Sequence, residues 1–138
     1  MNLLLGRFEG RRAVHLCIGN YGGQTIQKGD WRSIIEFLNA LQVDHLVLEL
    51  ACRPPEDLDA LAEIDSRISL GLGVINVKVN HVETAEEVAR AIDGAAKRLG
   101  PGRIGWVHPD CGFWMLKRSV ADRKMEALVK GRNLYLGI

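Results

Sequence analysis

Four side chains in this sequence could share one cation: His15, Cys17, Glu49 and Cys111. His15 and Cys17 stand two residues apart in an apolar run, residues 13–18. In an extended strand that spacing sends both side chains from one face, with their donor atoms adjacent. Glu49 lies within His45-Leu46-Val47-Leu48-Glu49-Leu50, where a carboxylate is costly to bury unless it meets a cation. That cation is either a metal or the side chain of Arg53 or Lys78. Cys111 sits in the turn Pro109-Asp110-Cys111-Gly112, whose Pro and Gly restrain the backbone; an inert buried thiol is the ordinary alternative for any cysteine. Two thiolates, an imidazole and a carboxylate suit zinc, a borderline-soft ion that accepts N, S and O donors in a tetrahedron. The paired sulfurs argue against magnesium or calcium.

The elements that must position these donors are legible as alternation. Short apolar runs at residues 13–18, 45–50, 68–77 and 104–107 are separated by longer helix-patterned stretches. Those stretches are expected at about 30–41, from Pro54-Pro55 to near 64, from Thr84 onward, and at about 119–130. Asp30 is a plausible helix cap, and Thr84 with Glu87 three residues on has the form of a capping box. Gly71 and Gly73 inside the third run suggest close backbone approach or a bend. The pattern predicts an α/β fold of four βα units with parallel strands. No low-complexity linker interrupts it, so residues 1–138 are expected to form a single domain. In parallel sheets, functional side chains gather at the C-terminal strand ends, where all four donors fall.

Composition excludes other classes. The formal net charge is +1 and no basic run is long enough to track a phosphate backbone, so no nucleic-acid partner is expected. Gly22-Gly23 lacks the lysine and the serine or threonine of a phosphate loop. No apolar run approaches the ~20 residues of a membrane span, and the apolar start is too short for a signal peptide, which predicts a cytoplasmic protein without a membrane partner. Three cysteines, an odd count, favour metal ligation, a catalytic thiol or burial over a disulfide framework. Cys52 reads as a spare thiol near the site, His45 as structural at the opposite end of its strand, and His108 as a possible support for a ligand. Trp31, Trp106 and Trp114 read as core or helix-packing residues, with Trp114 close enough to the Cys111 turn to line a pocket.

The order His15-Leu16-Cys17, Glu49 in a strand, then Val107-His108-Pro109-Asp110-Cys111-Gly112-Phe113 resembles the C-terminal catalytic region of the cobalamin-independent methionine synthase family. Gly71-Leu72-Gly73-Val74-Ile75-Asn76-Val77-Lys78, Val82-Glu83-Thr84-Ala85-Glu86-Glu87-Val88 and Gly102-Arg103-Ile104 extend the likeness from about Arg11 onward. The resemblance implies a Zn2+ enzyme whose metal ligands are His15, Cys17, Glu49 and Cys111. It also implies a thiol substrate, homocysteine, held as thiolate and methylated from methyltetrahydrofolate or a methylcorrinoid to give methionine. Where the long branch of that family has a histidine proton donor after the third strand, this chain has Lys78, with His81 three residues later; these are the candidate catalytic groups. The likeness matches half of an eight-stranded (β/α)8 barrel, the C-terminal half. Four units cannot close a barrel alone, so a homodimer, a partner chain supplying the other half, or origin as a piece of a longer chain is expected. The alternatives are alkyl transfer to another thiol such as coenzyme M, towards which Cys17-Ile18-Gly19-Asn20-Tyr21 also points, or a non-catalytic zinc-binding subunit.

Overall fold

A computed structural model describes residues 1–21, 24 and 26–138; Gly22 and Gly23, and any reading placed on them, lie outside those residues. After a short helix α1 (Asn2–Leu5), four strands β1 (Ala13–Leu16), β2 (His45–Leu48), β3 (Ser69–Ile75) and β4 (Ile104–Pro109) form one sheet in the order β1-β2-β3-β4. Every pairing is parallel. Helices α2 (Ile35–Asn39), α3 (Pro55–Ala60), α4 (Ala85–Leu99) and α5 (Arg118–Leu136) follow the strands in turn. These are the four parallel βα units that the apolar periodicity predicts, arranged as the half-barrel that the resemblance implies. No helix among the described residues is long and apolar enough to cross a membrane.

Local chemistry sets the boundaries. The capping box forms: Thr84 Oγ1 accepts the Glu87 N–H at 3.2 Å while Glu87 Oε2 accepts the Thr84 N–H at 2.7 Å. It opens α4, whose Val88, Ile92, Ala95 and Leu99 recur at helical spacing and are buried. Asp30 accepts the Ser33 N–H at 2.8 Å, but the helix it begins is tighter and shorter than its pattern suggests, a 3-10 turn over Arg32–Ile34 and then α2. Proline opens α3 at its first turn, where its missing N–H has no helical partner to lose. The last helix runs past its expected end, to Leu136.

The two faces of the sheet differ. Leu46, Leu48, Leu70 and Leu72 face a core shared with Ile35, Leu38, Val88, Ile92 and Leu128, all buried. On the opposite face the strand register places His15, Val47, Gly71 and Trp106 in one row across all four strands. His15 is exposed and Trp106 is 40% exposed. Trp106 therefore corrects its sequence reading: it is not a core residue but stacks on the His45 ring, centroids 4.1 Å apart. Trp114, 63% exposed, is likewise not packed in the core, whereas Trp31 is buried at 1% exposure.

Candidate metal centre

The C-terminal ends of β1, β2 and β4 converge on one pole of the sheet. There a ring nitrogen of His15 and the Sγ atoms of Cys17 and Cys111 all lie within 4.8 Å of one another. β1 supplies His15, and the extended chain one residue past its end supplies Cys17 on the same side by the two-residue repeat; the turn after β4 supplies the third. The three cysteines are all free thiols. Burial pushes the Cys17 thiol up from its usual value, and Cys111 beside it adds to the shift. Two adjacent sulfurs resist carrying charge together, a conflict that a divalent cation between them would relieve.

Glu49 does not stand within 4.8 Å of all three of those donors. It is fully buried at the end of β2 and is held from three sides. Its Oε1 accepts from Lys78 Nζ at 2.5 Å and from Cys52 Sγ at 2.8 Å, and its Oε2 accepts the Ile18 N–H at 2.9 Å. Burial alone would raise its pKa, but those three hydrogen bonds and the lysine charge outweigh it, and the carboxyl lies below its usual range. Of the two cations the sequence offered Glu49, Lys78 is the one that meets it. Arg53 binds Asp57 instead, at 2.5 Å. The Ile18 contact keeps Glu49 one residue from Cys17, close enough for its charge to raise the Cys17 pKa.

Lys78, 7% exposed at its side chain, also reaches Cys52 Sγ at 3.4 Å. Burial acts to lower its pKa, yet the Glu49 hydrogen bond and neighbouring charges leave it raised. Lys78 is thus held as an ammonium. His81 is placed differently: its ring meets Glu87 at 3.3 Å with 61% of the side chain exposed, so it belongs to the start of α4 and not to the Glu49 cluster. His108 lies over Gly71, with Nδ1 2.7 Å from the Pro109 carbonyl oxygen and Nε2 buried without a hydrogen-bond partner.

Sequence reasoning passed over Asp110 and undervalued Cys52. Asp110, fully buried, accepts N–H bonds from Leu50 at 2.9 Å, Ala51 at 2.8 Å and Cys52 at 3.1 Å, tying the turn that carries Cys111 to the end of β2. Burial raises its pKa although two of those N–H groups pull the other way. Its carboxylate fills the space a Cβ on Gly73 would need; the only sequence signal for it was that glycine. Cys52 is pushed up to about 12, by burial first and then by Glu49, so it stays a thiol that donates to Glu49.

The fold and this pole define a parallel α/β half-barrel with an imidazole and two thiols gathered at its C-terminal edge. Residues 24–132 match the sequence profile of the family described as cobalamin-independent synthase, catalytic domain, and the chain belongs to that family. A protein named methionine synthase from Thermococcus kodakarensis is 33% identical over 118 residues, 86% of this chain and 32% of the relative. Another of that name, from Saccharolobus solfataricus, is 32% identical over 121 residues, 88% of this chain and 33% of the relative. Among solved structures, a B12-independent methionine synthase from Shewanella sp. W3-18-1 in complex with selenomethionine superposes with a TM-score of 0.74 at 26% identity, covering 97% of this chain and 42% of that one. The chain thus spans about a third of the length of the curated relatives it matches.

Proposed function

We propose that residues 1–138 act as one (βα)4 half-barrel unit that binds zinc through His15, Cys17 and Cys111, with Glu49 as a further ligand. On this reading it activates a thiol, homocysteine in the leading case, for methyl transfer from methyltetrahydrofolate or a methylcorrinoid. The observation that carries it is the convergence of one ring nitrogen and two sulfurs within 4.8 Å at the C-terminal pole. The three convergent donors leave a fourth position for either Glu49 or a substrate sulfur, the open arrangement of catalytic zinc, whereas structural sites are permanently closed by four. When bound there, the metal would lower the pKa of a substrate thiol and hold it as a usable thiolate.

The chain's own residues prepare that pole. Asp110 fixes the Cys111 turn against the loop after β2 through three N–H bonds. Cys52 stays protonated and does not compete as a thiolate. Lys78 neutralises Glu49 and keeps the carboxylate in place. Because its pKa is raised, Lys78 is better suited to be the carboxylate's partner than to release a proton to a leaving group. His81 stands on the exposed stretch before α4, paired with Glu87, and is not among the groups that meet Glu49.

The uncovered face around His15 and Trp106, together with coverage of a third of the relatives' length, supports assembly with a second half-barrel, a partner chain or a second copy, before turnover. A non-catalytic zinc-binding subunit is the second reading, favoured by the same openness. The test is metal content and thiol binding on the purified chain, with and without a candidate partner half. About one zinc per chain, and a cobalt-substituted spectrum that changes on titration with homocysteine, support thiol activation. A spectrum indifferent to every thiol tried, coenzyme M included, leaves the non-catalytic reading standing.

A further inference from the structure

A second buried ion pair, outside the metal-binding pole, holds the segment that carries Lys78. Lys124 on α5 has no exposed side-chain surface, a position lysine takes only with its charge met. Its Nζ donates to Glu83 Oε2 at 2.8 Å and to the Asn76 carbonyl at 2.9 Å. Glu83 Oε1 accepts the Asn76 N–H, also at 2.9 Å. Together Lys124 and Glu83 engage both polar backbone groups of Asn76. The Asn76 side chain then accepts the Lys78 N–H at 2.9 Å, Lys78 Nζ reaches Glu49, and Glu49 receives the N–H of Ile18, next to Cys17. An unbroken line of hydrogen bonds and chain neighbours runs from α5 to β1.

We infer that Lys124 and Glu83 form a positioning pair: by fixing Asn76 they set where Lys78 reaches, and through Lys78 where Glu49 stands beside the metal-binding pole. Stability alone is a poor account of the pair, since an apolar pair of similar volume commonly holds two buried segments as well or better. What such a replacement lacks is the directional hold on the Asn76 backbone. The consequence for metal binding rests on the function proposed above, but the geometric consequence does not.

The experiment separates the two. In metal-free protein, amide hydrogen exchange is followed at Ile18 and Lys78, with Leu46 and Leu48 of β2 as internal references. The variant K124M/E83M removes both charges together, so neither is left buried alone. It is expected to speed exchange at Ile18 and Lys78 about tenfold while the β2 amides are unchanged, and to weaken cobalt(II) binding about tenfold, the low end for loss of a supporting group. E83Q, which keeps the acceptor for Asn76, gives a smaller change of the same sign and serves if the double variant does not fold. In a K78M background K124M/E83M should add nothing at Ile18, because the line already ends at residue 78. Unchanged Ile18 exchange in the folded variants, or an equal effect in the K78M background, overturns the positioning pair. If wild-type protein takes up no cobalt, the metal reading fails while the exchange data still judge the pair.

Discussion

The Asp110 carboxylate occupies the place where a side chain on Gly73 would begin. Only a glycine at that point of β3 lets the carboxylate cross the strand to the N–H groups of Leu50, Ala51 and Cys52. The turn bearing Cys111 is thereby anchored to the strand end bearing Glu49. Gly73→Ala must push Asp110 aside, and overpacking of this kind costs about 2 kcal/mol. Urea unfolding of the metal-free protein should show that loss, together with weaker metal binding. A variant as stable as the parent would mean the loop accommodates the methyl group freely.

Metal uptake should depend on two cysteines and not on the third. Cys17→Ser and Cys111→Ser are each expected to lower zinc affinity by more than ~100-fold, above the range for loss of a group that merely supports a ligand. Cys52→Ser, which keeps a hydrogen-bond donor for Glu49, should retain about one zinc per chain. Competition titration with a chromophoric chelator reads all three, and equal affinities across the set would remove the basis for the site.

Lys78→Met leaves Glu49 buried with no cation. Breaking a buried pair this way costs about 3 kcal/mol, so the metal-free variant should be markedly less stable than the parent. Added zinc, binding only the folded state, should raise its melting temperature by more than it raises the parent's, because the metal then also supplies the missing positive charge. Equal zinc-induced shifts would show that Glu49 does not sense the metal.

The same pair gives the metal-free protein a defined pH response. Glu49 has a folded pKa below its ordinary value, so its contribution is present above that ordinary value and is lost as pH falls through the folded one. Lys78, raised, contributes below its ordinary value and loses that contribution as pH climbs through the higher folded one. The gap in denaturation midpoint between wild type and E49Q/K78M should therefore be widest near neutrality and narrow on acidification well below ~pH 4, the ordinary carboxylate range. A gap that widens in acid would contradict the assigned directions.

The open face should seek cover. Sedimentation of the purified chain is expected to give at least twice the 15.3 kDa of one copy, or a stable complex once the partner half is supplied. Trp106→Lys, placed on the uncovered row, should weaken that association without unfolding the chain. A monomer indifferent to both would argue against assembly through this face.

Sequence alone determined the four βα units and their parallel order, and it singled out the neighbouring His15 and Cys17 side chains. Each of these is written in local periodicity: apolar alternation, a capping box at Thr84 and Glu87, and a His-x-Cys spacing that a strand converts directly into a shared face. Tertiary structure decided which donors stand together and what holds them. Glu49 meets Lys78 and Cys52, residues 29 and 3 positions away, and Asp110 reaches across Gly73 to backbone groups some 60 residues earlier. Trp106, expected in the core or against a helix, stacks on the His45 ring instead, and His81 meets Glu87. Such choices depend on strand register and on which side chain is missing from the strand between, and neither leaves a periodic trace in the chain.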